Sequence, residues 1–160
     1  MKLKNTIYLL FALLSMINLT ACGKKSHFEG YKNLAEKRWI VDSAAVFQFE
    51  VAEDTKSYQI YYNIRNTISY PYYNLYLNYE LLDASGKVVV AQRTENNLLN
   101  PKTGEPYGKG IGDLYAHEFV ALQNFKFPKK GSYTLKLKQD MRLDTLPEIV
   151  AVGVRVVENK

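Results

Sequence analysis

An antiparallel, all-β sandwich of about eight strands, wired as a jelly roll or in the immunoglobulin manner, is the fold this sequence predicts. Three observations carry that prediction. Apolar and polar residues alternate with period two in several segments, as in Phe47-Gln48-Phe49-Glu50-Val51. Thirteen tyrosines accompany seven phenylalanines and one tryptophan in a chain poor in alanine- and leucine-rich stretches, and tyrosine suits pleated, half-buried surfaces. Turn-forming residues recur at short spacing between the alternating segments.

The elements follow in order. Residues 23–36 are polar and without an apolar period, and they read as a tether. Trp39 and Val41, then Val46 to Val51, predict an opening strand pair broken by Asp42 to Ala45. Ser57 to Arg65 places Tyr58, Ile60, Tyr62 and Ile64 on one face. After a corner at Asn66 to Tyr72, Asn74 to Asp83 points Leu75, Leu77, Tyr79 and Leu81 inward. Ala84-Ser85-Gly86-Lys87 is a turn by composition, and Val88 to Gln92 is the returning arm. Residues 93–112 carry Pro101, Gly104, Pro106, Gly108, Gly110 and Gly112 and read as a long loop of the kind that is functional or disordered. Asp113 to Leu122 reads as a strand, although Leu114, Phe119 and Leu122 also fit a longer period. Ser132 to Lys138 alternates again after the turn at Phe127 to Gly131. A connecting crossover, Gln139 to Pro147, leads to Ile149 to Val157, which is apolar on nearly both faces, as expected of a strand covered on each side.

Ahead of this domain stands a leader. Lys2 and Lys4 precede a mostly apolar run, Ile7 to Leu19, and the run closes on Leu19-Thr20-Ala21-Cys22. That length suits a signal-peptide core rather than a membrane span. The layout predicts a bacterial lipoprotein signal cut before Cys22, with acyl chains on that cysteine holding the mature chain to a membrane; two or more chains make such anchoring stable. The expected organisation is a signal peptide at 1–21, acylated cysteine and tether at 22–36, and a β-sandwich domain at 37–160.

Composition excludes several classes of function. Cys22 is the one cysteine, so the mature domain has neither a disulfide nor thiol chemistry. The net charge of +5 falls to +3 without the leader's two lysines (19 basic against 16 acidic) and forms no dense patch in the sequence, which argues against nucleic acid as a partner.

Catalytic signals are sparse. The two histidines, His27 and His117, lie in no nucleophile elbow or zinc-helix motif. Asp113, His117 and Glu118 are read as a solvated strand face rather than a metal site, because Glu118 points away from the other two. No cofactor is expected. Gly108-Lys109-Gly110-Ile111-Gly112 looks like a phosphate loop only superficially, since no helix follows; its glycines serve positive φ or close approach. Tyr70-Pro71-Tyr72-Tyr73 with Tyr76 forms a candidate partner surface, and Lys109 and Asp113 mark the candidate loop contact.

Several segments occur together in one order: Arg65-Asn66-Thr67, Tyr70-Pro71-Tyr72, Asn74-Leu75-Tyr76-Leu77, Gly110 to Tyr115, Phe127-Pro128 with Gly131 and Tyr133, Gln139-Asp140-Met141-Arg142, and Val152-Gly153-Val154-Arg155. With the cysteine motif, the chain resembles the gliding-motility lipoprotein GldH family of the Bacteroidota. The resemblance implies a non-enzymatic envelope lipoprotein needed for gliding, with other gliding and type IX secretion proteins as partners. It brings no catalytic residues. Gly23 after the cysteine favours the outer membrane, and the absence of an acidic cluster in Gly23 to Phe28 favours its periplasmic face. Asp42-Ser43-Ala44 and Asp144-Thr145-Leu146 match a short O-glycosylation pattern of that phylum, which makes Ser43 and Thr145 candidate acceptors. An envelope carbohydrate- or peptidoglycan-binding module is the alternative reading.

Overall fold

The computed structural model describes residues 26–159, so Cys22 and the leader lie outside the described residues. Eleven strands form among the described residues: β1 Ser26–Asn33, β2 Arg38–Ile40, β3 Ala45–Val51, β4 Tyr58–Thr67, β5 Asn74–Leu82, β6 Val88–Asn97, β7 Lys109–Ile111, β8 Leu114–Phe125, β9 Gly131–Gln139, β10 Thr145–Pro147 and β11 Ile149–Glu158. All pairings are antiparallel. A five-stranded sheet, β1-β11-β4-β8-β7, faces a four-stranded sheet, β3-β9-β5-β6, and β10-β2 forms a small third sheet.

The wiring is that of a jelly roll. Among the eight strands of seven residues or more, the first pairs with the last (β1 with β11), the second with the seventh (β3 with β9), the third with the sixth (β4 with β8), and the fourth with the fifth (β5 with β6). Four nested antiparallel pairs rolled into two sheets give that topology and exclude the immunoglobulin arrangement.

Three strands were not expected, and each has a physical reason. β7 and β10 have three residues each, too few to show a period. β1 is the larger correction, because the polar composition of residues 26–33 predicts a tether and the chain forms a strand there. Its apolar contacts are with residues distant in sequence: Phe28 packs on Phe49 with ring centroids 5.6 Å apart. Tyr31 lies across Gly153 of β11, where an added Cβ would come within 2.5 Å of the ring. β6 also runs to Asn97 rather than Gln92, carried by polar residues that face its neighbour β5.

The core lies between the sheets. Trp39, Tyr58, Ile60, Tyr62, Ile64, Leu75, Leu77, Leu135, Leu137, Val152 and Val154 are buried, and each large apolar side chain contributes roughly 1.5–3 kcal/mol. The Trp39 indole N–H donates to the Ser43 carbonyl at 2.9 Å. β11 is central in its sheet, between β1 and β4; Val152, Val154 and Val156 face the core, and on the other face the Tyr31 ring lies over Gly153.

Strand registers sort the connections to two ends. At the near end, where β1 begins, Ser26 pairs with Val157, Tyr58 with Phe125, Val51 with Gly131 and Leu82 with Thr134, so connections 52–57, 83–87 and 126–130 gather there. At the far end Asn33 pairs with Ala151, Thr67 with Leu114, Ala45 with Leu137 and Asn74 with Asn97, gathering 34–44, 68–73, 98–113 and 140–148.

Candidate functional site

A groove of about 500 Å³ opens on the outer surface of the four-stranded sheet at its far end, lined by Tyr72, Tyr76, Arg93, Asp140, Met141, Arg142 and Leu143. Strand alternation explains it. Leu75 and Leu77 of β5 face the core, so Tyr76 between them must face outward, and Arg93 reaches the same surface from β6. The Arg93 guanidinium sits 4.3 Å from the Tyr76 ring centroid and is ion-paired with Asp140. Hydrogen bonding to Asp140 holds Arg93 firmly charged. The Glu95 carboxylate, through hydrogen bonding, raises the Tyr76 hydroxyl above the usual phenol range.

Loop 140–143 is fixed from below. Gln139 is fully buried, and its amide serves the loop at both ends: Oε1 accepts from the Met141 N–H at 2.8 Å and Nε2 donates to the Leu143 carbonyl at 2.9 Å. The Asp140 N–H donates to the Tyr76 carbonyl at 2.9 Å, and the Tyr76 N–H points at Met141 Sδ, 3.3 Å away. Arg142 is exposed and forms no ion pair among the described residues. Tyrosine, methionine and arginine over a rigid floor are the composition enriched where proteins bind proteins.

The structure divides the predicted tyrosine surface. Tyr72 and Tyr76 line the groove. Tyr70 does not reach solvent: it is 3% exposed, and its hydroxyl donates to the Asn74 carbonyl at 2.9 Å. Burial raises its pKa strongly. The Tyr70 ring instead backs Tyr72 edge-on, centroids 5.8 Å apart. Tyr73 is exposed but outside the groove lining.

Lys109 and Asp113 are both exposed at the β7–β8 hairpin, Lys109 in β7 and Asp113 in the turn. The glycines around them do two jobs. Gly112 has φ +65°, while Gly110 lies under the Tyr115 ring and Gly108 under the His117 imidazole. His117 corrects the expectation of a solvated strand face. It is 5% exposed, its Nε2 has no hydrogen-bond partner, and desolvation lowers its pKa to about 4. Glu118, on the opposite face, binds Arg155 through two hydrogen bonds of 2.7 and 2.9 Å. No cluster of three or more histidine, cysteine, aspartate or glutamate side chains fit to hold a metal occurs among the described residues. Ser43 and Thr145 are exposed at the far end, where the Val41 N–H donates to the Asp144 carbonyl at 2.8 Å and Thr145 pairs with Ile40.

The family model described as GldH lipoprotein matches residues 26–156, from the first residue of β1 to Val156 in β11. This chain belongs to the GldH lipoprotein family. It is 32% identical over 163 residues to the gliding motility lipoprotein GldH of Flavobacterium johnsoniae, covering 98% of each chain. It is 31% identical over 151 residues to a GldH homolog of Christiangramia forsetii, covering 90% of this chain and 91% of the relative. Among solved structures, a 4-O-methyl-alpha-glucuronidase with specificity for decorated arabinogalactans overlaps with TM-score 0.45 and 15% identity, over 87% of this chain and 18% of that one. Two stretches that carry the GldH resemblance, residues 70–77 and Gln139 to Arg142, lie more than sixty residues apart in sequence and meet at the groove. The sequence singled out Tyr72 and Tyr76 but missed Arg93, which sits in a stretch read as loop. Met141 and Arg142 appeared only as motif letters, because nothing local reveals that a crossover returns to the tyrosines.

Proposed function

We propose that this GldH-family chain is a cell-envelope lipoprotein of gliding motility. Acyl chains on Cys22 hold it in the outer membrane, with the sandwich facing the periplasm. It acts without catalysis, as a scaffold or accessory subunit linked to the type IX secretion and gliding machinery, and the groove receives one of those envelope proteins. Names of the relatives and the cysteine motif support the envelope role. The observation that carries the scaffold reading is the meeting of two distant resemblance-bearing stretches, 70–77 and 139–142, at a groove of tyrosine, arginine and methionine side chains.

The carbohydrate-module reading loses ground, because Tyr70 is inside the fold and cannot offer a sugar-stacking face. Lys109 and Asp113 remain candidate secondary contacts on the exposed hairpin. Ser43 and Thr145 remain proposed glycan acceptors.

The test is genetic and biochemical together. Deleting the gene should abolish colony spreading and reduce export of surface adhesins, and a copy carrying Tyr76→Ala with Arg142→Glu should restore neither. Full restoration of both by that copy would remove the groove from the account.

A further inference from the structure

The near end of the sandwich gathers lysines, most of them unpaired among the described residues. Its three connections hold Lys56, Lys87, Lys126, Lys129 and Lys130 against Glu53, Asp54 and Asp83, a balance of five to three. The four far-end connections hold five basic residues (Lys37, Arg38, Lys102, Lys109, Arg142) against seven acidic ones (Glu36, Asp42, Glu105, Asp113, Asp140, Asp144, Glu148). In the sequence, Lys24 and Lys25 stand just ahead of β1 and Lys160 just after β11. Lys56 is paired with Glu158 at 2.6 Å. Lys87, Lys126, Lys129 and Lys130 are exposed and form no ion pair among the described residues.

Three of these lysines share one cleft. A space of about 570 Å³ lies between the turn at Asp83 to Lys87 and the loop at Pro128 to Gly131, with Lys87, Lys129 and Lys130 around it. Asp83 is the carboxylate in its lining, and that group is already engaged by its own turn. It accepts from the Ser85 N–H at 2.9 Å, the Ser85 hydroxyl at 2.6 Å and the Lys87 N–H at 3.0 Å. Asp83 keeps its negative charge, and three lysines against that one carboxylate leave the cleft lining net cationic.

Position along the chain supplies the second argument. Ser26 opens β1 at the near end, four residue steps from Cys22, which is at most about 14 Å of extended chain. A domain anchored that closely cannot hold its near end far from the bilayer. β4 and β11, ten residues each, carry the chain about 33 Å to the far end, several Debye lengths away.

We infer that the near end lies against the membrane, with Lys87, Lys129 and Lys130 holding the phosphate of an anionic phospholipid headgroup, so that the Tyr76 groove faces away from the bilayer. The inference rests on the anchored reading proposed above. Lysines close to an anionic surface add to acyl-chain anchoring, and their attraction is short-ranged and screened by salt.

The test uses the acylated protein reconstituted into vesicles of phosphatidylcholine alone or of phosphatidylcholine mixed with phosphatidylglycerol. Lysine acylation rates are read by mass spectrometry at Lys87, Lys129 and Lys130, with Lys102 at the far end as internal control. Phosphatidylglycerol should slow labelling of the near-end lysines at least about threefold and leave Lys102 unchanged, and the protection should fade with added salt. A variant with Lys129→Gln and Lys130→Gln should keep its thermal transition and lose the protection of Lys87. Equal labelling in both vesicles would overturn the docking, as would protection by inorganic phosphate in phosphatidylcholine vesicles to the same degree, which would assign the cleft to a free anion. An intact mass without acyl chains would overturn the anchored reading and the docking together, whereas acylated but unprotected protein overturns the docking alone.

Discussion

The Arg93 guanidinium lies over the Tyr76 ring, 4.3 Å from its centroid, and Asp140 holds it there from the loop after β9. This stack makes one wall of the groove rigid and leaves Arg142 as its unpaired cation. Arginine stacked on an aromatic ring keeps its planar face engaged while its charge is satisfied, so it adds contact area without demanding a counter-ion from a partner.

Replacing Arg142 with glutamate therefore separates binding from folding. The residue is exposed and unpaired, so the unfolding free energy should change by less than about 0.5 kcal/mol. Recovery of envelope partners with the cross-linked, acylated protein should fall about tenfold, equivalent to about 1.4 kcal/mol. Quantitative mass spectrometry of the co-purified proteins, beside a thermal melt, checks both halves. Unchanged recovery with an unchanged melt would remove Arg142 from the interface.

Gly153 and Tyr31 form a packing pair that a methyl group should break. A Cβ at Gly153 would meet Tyr31 ring carbons at 2.5 Å and the Gly30 carbonyl oxygen at 3.1 Å. Gly153→Ala should cost about 1–3 kcal/mol, because either the ring or the β1 backbone must move. Adding Tyr31→Ala removes the ring half of that clash, so the double variant should lose less than the sum of the singles. Urea unfolding of the four proteins tests this, and strict additivity would mean the clash is relieved elsewhere.

His117 gives the domain a pH response with a definite sign. Burial lowers its pKa from 6.5 to about 4 in the folded state, so between those values the unfolded chain binds more protons than the folded one. Stability contributed by neutral His117 is complete above about pH 6.5 and is lost as the pH falls toward 4, by up to roughly 3 kcal/mol. His117→Phe should flatten this part of the profile while leaving the carboxylate contributions. Unfolding midpoints at pH 7.5 and 5 for the two proteins provide the comparison, and parallel losses would show that His117 does not titrate across this range.

Much of this fold could be read from the chain because it depends on local alternation. Phe47 to Val51, Tyr58 to Ile64 and Tyr133 to Leu137 each declare which face is buried. What escaped is what depends on distant partners. β1 is a strand because β11 lends it an edge and Gly153 gives Tyr31 a seat, and neither fact leaves a mark within residues 26–33. Tyr70 and Tyr72 look alike in sequence, yet the corner turns one inward onto the Asn74 carbonyl and leaves the other at the groove. His117 alternates correctly as an inward residue, but its polarity argued for solvent. The groove needed Gln139, whose buried amide ties a crossover loop to β5, a tertiary contact with no local signature.

Modification at Ser43 and Thr145 is the last expectation to test. Both side chains are exposed, Ser43 in the connection after β2 and Thr145 at the start of β10, and the bond from the Val41 N–H to the Asp144 carbonyl brings the two acidic-hydroxyl motifs to one end of the molecule. A transferase acting after folding would find both sites on a surface turned away from the near-end cleft. Intact mass of the protein purified from envelopes should exceed that of the acylated polypeptide by glycan increments, and Ser43→Ala and Thr145→Ala should each remove one. Trp39 must stay anchored for the Ser43 turn to keep its shape, since its indole N–H binds the Ser43 carbonyl. Ser43→Ala preserves that backbone bond, so its loss of mass would report the missing hydroxyl rather than a collapsed turn. A wild-type mass explained by polypeptide and acyl chains alone would end the glycosylation proposal for both residues.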